Sequence, residues 1–327
     1  MVTTKDNRET IRDCVDSILS LEYPRDKLKV LVVDASEDRS ALKILAGLPV
    51  EIVGFSGNAP AAYNLALTLV RSDLVGFIDG DAKVDPDWLA QITQSLGNVN
   101  VAGAGGQIKT WNGQRMVPRC IGYELESRYN NPSKVVRTST TNLVLKRIII
   151  EKAGGFDETL DTGYDADIGY RIVKSGYEIL FEGNAIVYHF HRPTLWSYLK
   201  QQYSYAKNDA GLYTKNSSLM LRDNVTRKWM IAQPLLMLLF AMLSLVLLFS
   251  QIVRLTISFD RFWLTEFWAG VGFLLMGSYL VTSTRLAMSA RDPQAWSILL
   301  CILVTRAVAW TVGGVVGFTR RFVLRSR

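Results

Sequence analysis

The sequence Leu74-Val75-Gly76-Phe77-Ile78-Asp79-Gly80-Asp81 is an apolar run that ends in two carboxylates separated by one glycine. The run predicts a buried strand, and in open α/β sheets ligands bind beyond the carboxyl ends of the strands. Two carboxylates at that place suit Mg²⁺ or Mn²⁺, which binds one or two carboxylates and completes its coordination with substrate phosphates. The alternative interpretation is a solvated turn, since Asp-Gly is also a common turn signal.

Strands and amphipathic helices alternate around this run. The patterns predict strands at residues 28–34, 50–55 and 74–78 and helices at residues 8–21, 39–46 and 60–71. This alternation is typical of a doubly wound, mostly parallel α/β sheet. In such a sheet Asp34, which ends the first of these strands, lies at the same edge as Asp79.

Asp34 has two interpretations. A carboxylate at this edge can accept hydrogen bonds from a nucleotide base or ribose, or it can be a loop acid without a ligand. The sequence contains neither the glycine-rich fingerprint of dinucleotide folds nor a P-loop. The predicted phosphate-binding group is therefore a metal ion at Asp79 and Asp81.

The middle of the chain adds polar residues to the predicted site. Residues 111–137 predict a loop and a helix that cover it, and residues 135–146 predict extended structure. Thr141 and Asn142 lie within the extended segment, where they either contact substrate or satisfy each other and their neighbours.

Two acids and two histidines follow. Asp165 and Asp167 fall in the first turn of a predicted helix, where capping explains one of them and the other is free to act as a general base. His189 and His191 are the only histidines in 327 residues. Strand alternation puts both on one face, which suits a metal ligand or a phosphate contact, or else a hydrogen-bonding pair.

The composition divides the chain into two parts. Apolar and charged residues mix up to about Lys228, and long apolar stretches follow at residues 230–253, 262–282 and 296–318. Each approaches or exceeds the about 20 residues that span a bilayer. The net charge of +7 comes largely from residues that flank these stretches. Because they form no basic stripe interleaved with aromatic residues, nucleic-acid binding is not expected.

The basic residues also predict an orientation in the membrane. Those in the predicted interfacial linker, residues 214–229, place the preceding domain on the cytoplasmic side. Three crossings would leave the basic residues that follow Phe318 outside, which conflicts with the positive-inside rule. Arg306, in the middle of the third stretch, must face protein or water, so that stretch is expected to be re-entrant or paired with another chain.

The ordered set of motifs resembles one known family. The matching residues are Asp34, Asp79-Gly80-Asp81, Thr141-Asn142-Leu143-Val144-Leu145, Gly154-Gly155-Phe156-Asp157-Glu158, Asp165-Ala166-Asp167-Ile168 and His189-Phe190-His191-Arg192-Pro193. Together they resemble glycosyltransferase family 2, whose members are inverting, nucleotide-sugar-dependent enzymes with the GT-A fold. The resemblance covers a domain at residues 1–213 and leaves residues 230–327 as the membrane domain.

The resemblance implies a role for each matched residue. Asp34 would contact the nucleotide base, and Asp165 would be the catalytic base. The implied metal and diphosphate ligands are Asp79, Asp81 and either His189 or His191. The residues implied on the acceptor and diphosphate side are Thr141, Asn142, Asp167, Arg192 and Gln202.

Three features depart from the family pattern. Tyr164 stands where the family has a Glu before the base, and Tyr205-Ala206 replaces the Arg-Trp pair of processive members. Family members open with an apolar strand that precedes a turn, and residues 2–7 resemble only the turn. The sheet is therefore expected to lack its first, central strand, through a miscalled or truncated start, which would leave ladder groups unpaired.

The chain is thus predicted to be an inverting glycosyltransferase anchored by several helices in the cell membrane, with a cytoplasmic catalytic domain. The resemblance implies a UDP- or GDP-sugar donor, a lipid-linked or cell-surface glycan acceptor, and contact with membrane lipids. Oligomerisation is compatible with the sequence. Two alternatives stay open. One is a catalytically idle membrane scaffold, and the other is a processive polysaccharide synthase, for which three apolar stretches are few.

Overall fold

The computed structural model describes residues 1–129, 134–137, 139–216, 225, 228–252 and 261–322. The chain forms two compact units. The first is Met1–His191 with Gly211–Val225, and the second is Arg192–Ala210 with Thr226–Arg327. This division differs from the predicted boundary at residue 213, because residues 192–210 belong to the unit that contains the apolar helices.

A mixed sheet forms the centre of the first unit. Among the described residues its eight strands are β1 (Val2–Thr4), β2 (Leu31–Asp34), β3 (Glu51–Gly54), β4 (Leu74–Asp79), β5 (Ala82–Val84), β6 (Val101–Thr110), β7 (Leu143–Lys146) and β8 (Glu178–His189). Their order is β3-β2-β1-β4-β7-β6-β8-β5. The first four strands in this order are parallel, as are β6 and β8, whereas β7 and β5 run antiparallel to their neighbours. The predicted α/β fold with a mostly parallel sheet is confirmed.

The prediction that the central strand is missing is wrong. β1 is only three residues long, yet it pairs in parallel with both β2 and β4. The backbone N–H of Ile78 donates to Met1 O at 3.1 Å, and that of Gly80 donates to Thr3 O at 2.9 Å. Val2 is fully buried between the neighbouring strands. Three residues, all β-branched, therefore suffice to fill the ladder at the centre of this half of the sheet.

Helices cover both faces of this sheet. They are α1 (Ile11–Leu19), α2 (Ser40–Ile44), α3 (Ala59–Leu69), α4 (Trp88–Thr93), α5 (Met116–Tyr129), α6 (Arg147–Lys152) and α7 (Tyr164–Lys174). Successive side chains of β4 point to opposite faces. Ile78 packs in a cluster with Ile11 of α1 and Trp88 of α4, whereas Phe77 packs in a second cluster with Tyr63 of α3.

Two predicted extended segments take a different form. Residues 139–142 form a turn, and the strand within the predicted segment 135–146 begins only at Leu143. β8 is one 12-residue strand that lies between β6 and β5. The short strand patterns at residues 178–179 and 185–188 of the sequence both belong to this one strand. A register shift between Gly106 and Gln107 of β6 interrupts the pairing with β8, so the alternation breaks although the strand continues.

The second unit contains long helices. α8 (Leu195–Lys215) begins in it, and α9 (Lys228–Ile252), α10 (Arg261–Ser289) and α11 (Trp296–Phe322) follow. Three segments, Trp229–Ser250, Phe262–Ser289 and Pro293–Arg321, are long and apolar enough to cross a membrane. They coincide with the three predicted stretches. Many of their apolar side chains point outward, and Phe273 is 83% exposed, which is the pattern of a surface that meets lipid.

We predict that Gly103→Ala destabilises the sheet. A Cβ at Gly103 of β6 would lie 2.1 Å from Val144 O and 2.9 Å from Leu145 Cα of β7, and these backbone atoms cannot retreat without breaking the pairing. The expected loss is about 1–3 kcal/mol of folding free energy, seen as a lower thermal midpoint of the detergent-solubilised chain. Gly97→Ala is the control, because nothing lies within 4 Å of a Cβ there. Equal shifts in both variants would contradict the prediction.

Candidate active site

The sheet edge at the ends of β2 and β4 carries the predicted acids. β1 lies between these strands, with Thr4 opposite Asp34 and Thr3 opposite Asp79. The two acidic strand ends therefore share one edge, two strand spacings or about 9.5 Å apart. Asp81 follows at the turn into β5.

His189 reaches the acids through the pairing of β5 with β8. The strands are antiparallel, with Ala82 opposite His189, and Phe190 N donates to Asp81 O at 2.8 Å. His189 Nε2 lies 3.3 Å from Asp81 Oδ1. One ligand atom from each of Asp79, Asp81 and His189 lies within 4.8 Å of the others.

This cluster fits a divalent metal ion. The two carboxylates are ligands that both Mg²⁺ and Mn²⁺ prefer, and Mn²⁺ also accepts an imidazole nitrogen. The spacing lets one ion contact all three groups. Of the two histidines offered by the prediction, His189 is the one in the cluster. The Nδ1 of His191 lies 3.1 Å from the Nδ1 of His189, and His191 is 5% exposed. His191 thus backs the imidazole of His189 on the side away from Asp81.

Two hydroxyl groups orient the Asp79 carboxylate. Thr141 Oγ1 donates to Oδ2 at 2.6 Å, and Tyr63 OH donates to Oδ1 at 3.2 Å. Burial raises the pKa of Asp79, and the nearby charge of Asp81 raises it further. A cation between the two acids would relieve their repulsion, which is a further reason why the pair suits a metal ion.

Asp165 lies in the first turn of α7, where its Oδ1 accepts a hydrogen bond from Ala166 N at 2.8 Å. Burial raises the pKa of Asp165; the Arg137 guanidinium opposes this rise, and the charge of Asp79 adds to it. The two acids are therefore close enough to influence each other. A carboxylate with a raised pKa is a stronger base than one in water, which suits proton abstraction.

Asp34 is fully buried and holds its own loop. Its Oδ1 accepts from Ser36 N at 2.9 Å, and its Oδ2 accepts from Ala41 N at 3.1 Å. Both oxygens are thereby used to shape the turn after β2. Contact between Asp34 and a nucleotide base stays a prediction.

Asp167 is also fully buried, and its partners are protein groups. Oδ2 accepts from Arg171 Nε at 2.8 Å, and Oδ1 accepts from Asn216 Nδ2 at 2.7 Å. Arg171 in turn donates to the backbone oxygens of Ala153 and Gly155. The hydrogen bonds of Asp167 and Arg171 thus hold α7 against Asn216 and against the backbone at Ala153 and Gly155.

Asn142 bonds to three separate elements. Its Oδ1 accepts from Trp88 Nε1 at 2.8 Å, and its Nδ2 donates to Gln107 O and to Ala185 O, each at 2.9 Å. These bonds join α4, β6 and β8 beneath the site. Its neighbour Thr141 faces Asp79, so adjacent residues of one motif serve the scaffold and the acid cluster respectively.

Arg192 and Gln202 belong to the second unit. Arg192 is exposed. Gln202 is buried, and its Oε1 accepts from Trp310 Nε1 at 2.9 Å. Gln202 therefore joins α8 to α11, and acceptor-side roles for both residues stay predictions.

Sequence reasoning misses three residues that build the site. Tyr63 links Asp79 to β1, Asn112 exchanges two hydrogen bonds with the His191 backbone, and Gly122 lets α5 pass close to the histidines. A Cβ at Gly122 would lie 1.7 Å from Thr110 Oγ1 and 3.7 Å from His191 Nε2. α5 is thus the helix predicted over the site. The Asn-Gly pair at Asn112 signals only a turn, and the other two stand in no recognisable motif.

The mixed α/β sheet with an acidic cluster at its strand ends resembles the GT-A fold of glycosyltransferases. The fold is that of the solved mannosyltransferase PcManGT from Pyrobaculum calidifontis, determined in complex with GDP-Man and Mn²⁺. That structure superposes with a TM-score of 0.56 at 16% sequence identity, over 94% of this chain and 85% of that one.

Residues 1–204 match the family described as "Glycosyltransferase like family 2", and the chain belongs to it. It is 24% identical to the glycosyltransferase AglE of Haloferax volcanii over 232 residues, which cover 68% of this chain and 76% of AglE. It is 25% identical to the pre-mycofactocin glycosyltransferase of Mycobacterium tuberculosis over 251 residues, which cover 71% of this chain and 51% of that protein. The match therefore spans about half the length of the mycobacterial relative.

We predict that Thr141→Val weakens metal binding. The variant keeps the shape of the side chain but loses the 2.6 Å hydrogen bond that orients Asp79. The expected effect is a 10- to 100-fold lower affinity for Mn²⁺, measured by calorimetric titration of the solubilised chain. Thr141→Ser keeps the hydroxyl and is the matched control. An unchanged affinity in Thr141→Val would show that the hydroxyl does not support the ligand.

Proposed function

We propose that the protein is an inverting glycosyltransferase that moves a sugar from a nucleoside-diphosphate donor to a lipid-linked or cell-surface glycan acceptor. The observation that carries the proposal is the Asp79, Asp81 and His189 cluster, with Asp165 close enough for its pKa to respond to the charge of Asp79. A metal site beside a buried carboxylate supplies the two groups that a single displacement at an anomeric carbon requires.

Asp79, Asp81 and His189 would hold the ion, which we propose to be Mg²⁺ or Mn²⁺. When bound, this ion neutralises the charge that develops on the departing diphosphate. Thr141 and Tyr63 keep the Asp79 oxygens in place, so the ligands need little rearrangement.

Asp165 is the proposed catalytic base. Its carboxylate takes the proton from the acceptor hydroxyl as the oxygen attacks the anomeric carbon from the face opposite the leaving diphosphate. The carbon–oxygen bond to the acceptor forms as the bond to the diphosphate breaks, so the configuration inverts. Burial of Asp165 raises its pKa, which makes the carboxylate better able to take this proton.

The donor is proposed to be a UDP- or GDP-sugar. The GDP-Man and Mn²⁺ bound to PcManGT illustrate a donor and an ion that the shared fold can accommodate. We further propose a cell-membrane location with the catalytic unit on the cytoplasmic side. Its supports are the three candidate spans and the basic residues at 215–228 that precede them.

Neither the central strand nor Tyr164 supports the alternative of an idle scaffold. The central strand is present as β1. Tyr164 packs against Tyr63 and Phe156, with ring centroids 5.9 and 6.2 Å away, so it fills the aromatic core beside Asp165. Tyr164 therefore has a packing role next to the proposed base.

A panel of UDP- and GDP-sugars tests the proposal. The solubilised chain is given each donor with Mn²⁺ and a membrane lipid extract, and the extract is analysed for new glycolipid. We expect transfer from one donor and its loss on addition of EDTA. The proposed activity would be overturned if the protein still binds Mn²⁺ but neither transfers nor hydrolyses any of the donors.

We predict that Asp165→Asn abolishes turnover without abolishing donor binding. The amide cannot take the acceptor proton, so kcat is expected to fall by about 10²- to 10⁴-fold. Donor Kd is measured in parallel by titration. The matched control is Asp161→Asn, the same change at an exposed acid that precedes the helix. Substantial transfer by Asp165→Asn with normal donor binding would exclude Asp165 as the base.

A further inference from the structure

The second half of α11 packs closely on α8. A Cβ at Gly313 would lie 2.6 Å from Tyr203 O, and one at Gly317 would lie 2.2 Å from Lys207 O. Together with the bond between Gln202 and Trp310, these contacts follow both helices in the same direction. Residues 202–207 and 310–317 therefore lie side by side with their backbones touching.

α8 is too polar to lie in hydrocarbon. The part of it that touches α11 contains Gln202 and Lys207, and Lys200 and Asp209 flank this part. Charged side chains are costly inside a bilayer. Among the described residues, three helices are apolar enough to cross one, and α8 is not one of these three. Because its backbone touches α8, the segment around Gly317 must lie at the depth of α8, outside the hydrocarbon.

The start of α9 lies next to the same part of α11. Arg306 Nη2 donates to Gln233 Oε1 at 3.4 Å, and Thr311 Oγ1 donates to Pro234 O at 3.2 Å. Both partners fall in the first two turns of α9. Residue 311 is therefore still near the end of the bundle where α9 begins, although α11 has by then advanced about 22 Å from Trp296.

α11 also begins at this end of the bundle. Trp296 Nε1 donates to Thr284 Oγ1 at 2.9 Å, close to the last residue of α10. α10 returns antiparallel to α9, because Trp268 near its start contacts Ser244 near the end of α9. The end of α10, the start of α11 and the start of α9 thus share one side.

From these contacts we propose that α11 does not cross the bilayer. α9 and α10 form the crossing hairpin, whereas α11 enters and leaves on the side where α9 begins. Its residues 300–307 pack against α9 and α10, and its second half leaves the bundle beside α8 in the headgroup region. We call the exposed side of α8 (Leu195–Lys215) and of the second half of α11 the α8–α11 face. Its proposed partner is a layer of anionic lipid headgroups.

The side chains of the α8–α11 face suit that partner. The exposed apolar residues along one side of α11 are Val308, Val312, Val315 and Phe318. Arg320 and Arg321 follow them directly. On α8, Trp196 is 65% exposed, and the Lys200 ammonium lies 5.2 Å from its ring. Aromatic and basic residues beside an apolar stripe are typical of helices at the lipid–water boundary.

The arrangement also resolves the conflict in the charge pattern. With two crossings, the basic residues after Phe318 return to the side of the basic residues at 215–228, as the positive-inside rule requires. The inference rests on the membrane location in the proposed function, and it is independent of sugar transfer.

Single epitope tags on the full chain report its sidedness in bacterial membrane vesicles. One variant carries the tag at the turn around Val99, which is 80% exposed, a second within residues 253–260, and a third after residue 327. Protease added outside the vesicles is expected to remove the first and third tags in one vesicle orientation. It is expected to remove the second tag only in the opposite orientation. A third tag digested together with the second would overturn the proposal. So would a second tag digested together with the first. Donor transfer measured in the same vesicles separates failure of this topology from failure of the proposed activity.

A second experiment tests the contact that holds α11 beside α8. Gly317→Leu would force the backbones apart, whereas Gly314→Leu adds the same side chain where nothing lies within 4 Å of the Cβ. We expect trypsin to cut after Lys200 and Lys207 at least tenfold faster in the first variant and at the native rate in the second. Gly317→Ala, a milder change, is expected to give an intermediate rate. Native rates in both position-317 variants would overturn the docking of α8 on α11.

Discussion

The proximity of two like charges constrains the rest of the first unit. Asp79 and Asp81 place carboxylate oxygens within 4.8 Å of each other and of His189, although burial and repulsion both oppose ionisation of Asp79. Backbone pairing must therefore impose their position. β1 holds β4 on one side, and β8 holds β5 on the other. Gly80 allows the turn between the acids, because a Cβ there would lie 2.8 Å from the Thr4 side chain.

The parts of the site that could be predicted are those encoded locally. A carboxylate directly after an apolar run is a strand end whatever the rest of the chain does, and the strand pairing confirms that Asp34 and Asp79 share one edge. The two-residue period of strands predicts that His189 and His191 lie together, and their rings are indeed neighbours. The same dependence on neighbouring residues explains why the sequence does not predict β1. Three residues are too few for an alternating pattern, and only pairing on both sides makes them a strand.

The contacts that could not be predicted join distant residues. Asn112 and His191 are 79 positions apart, and Asn142 reaches Trp88 across 54 positions. Nothing near Asn112 in the sequence indicates that its amide will form hydrogen bonds with the backbone of His191. The two histidines are likewise equivalent by type and period, and only their partners distinguish them. His189 faces Asp81, whereas Asn112 holds the backbone of His191.

The bonds of Asp167 give α7 a mechanical role. Asn216 binds Asp167, and Lys215 binds Asp157, so the last turn of α8 is fastened to the loop and helix that carry Asp165. α8 is a continuous helix of 21 residues and therefore a stiff rod about 31 Å long. Its last turn thus holds the loop and helix that carry the proposed base, through bonds that span 49 and 58 positions of the chain.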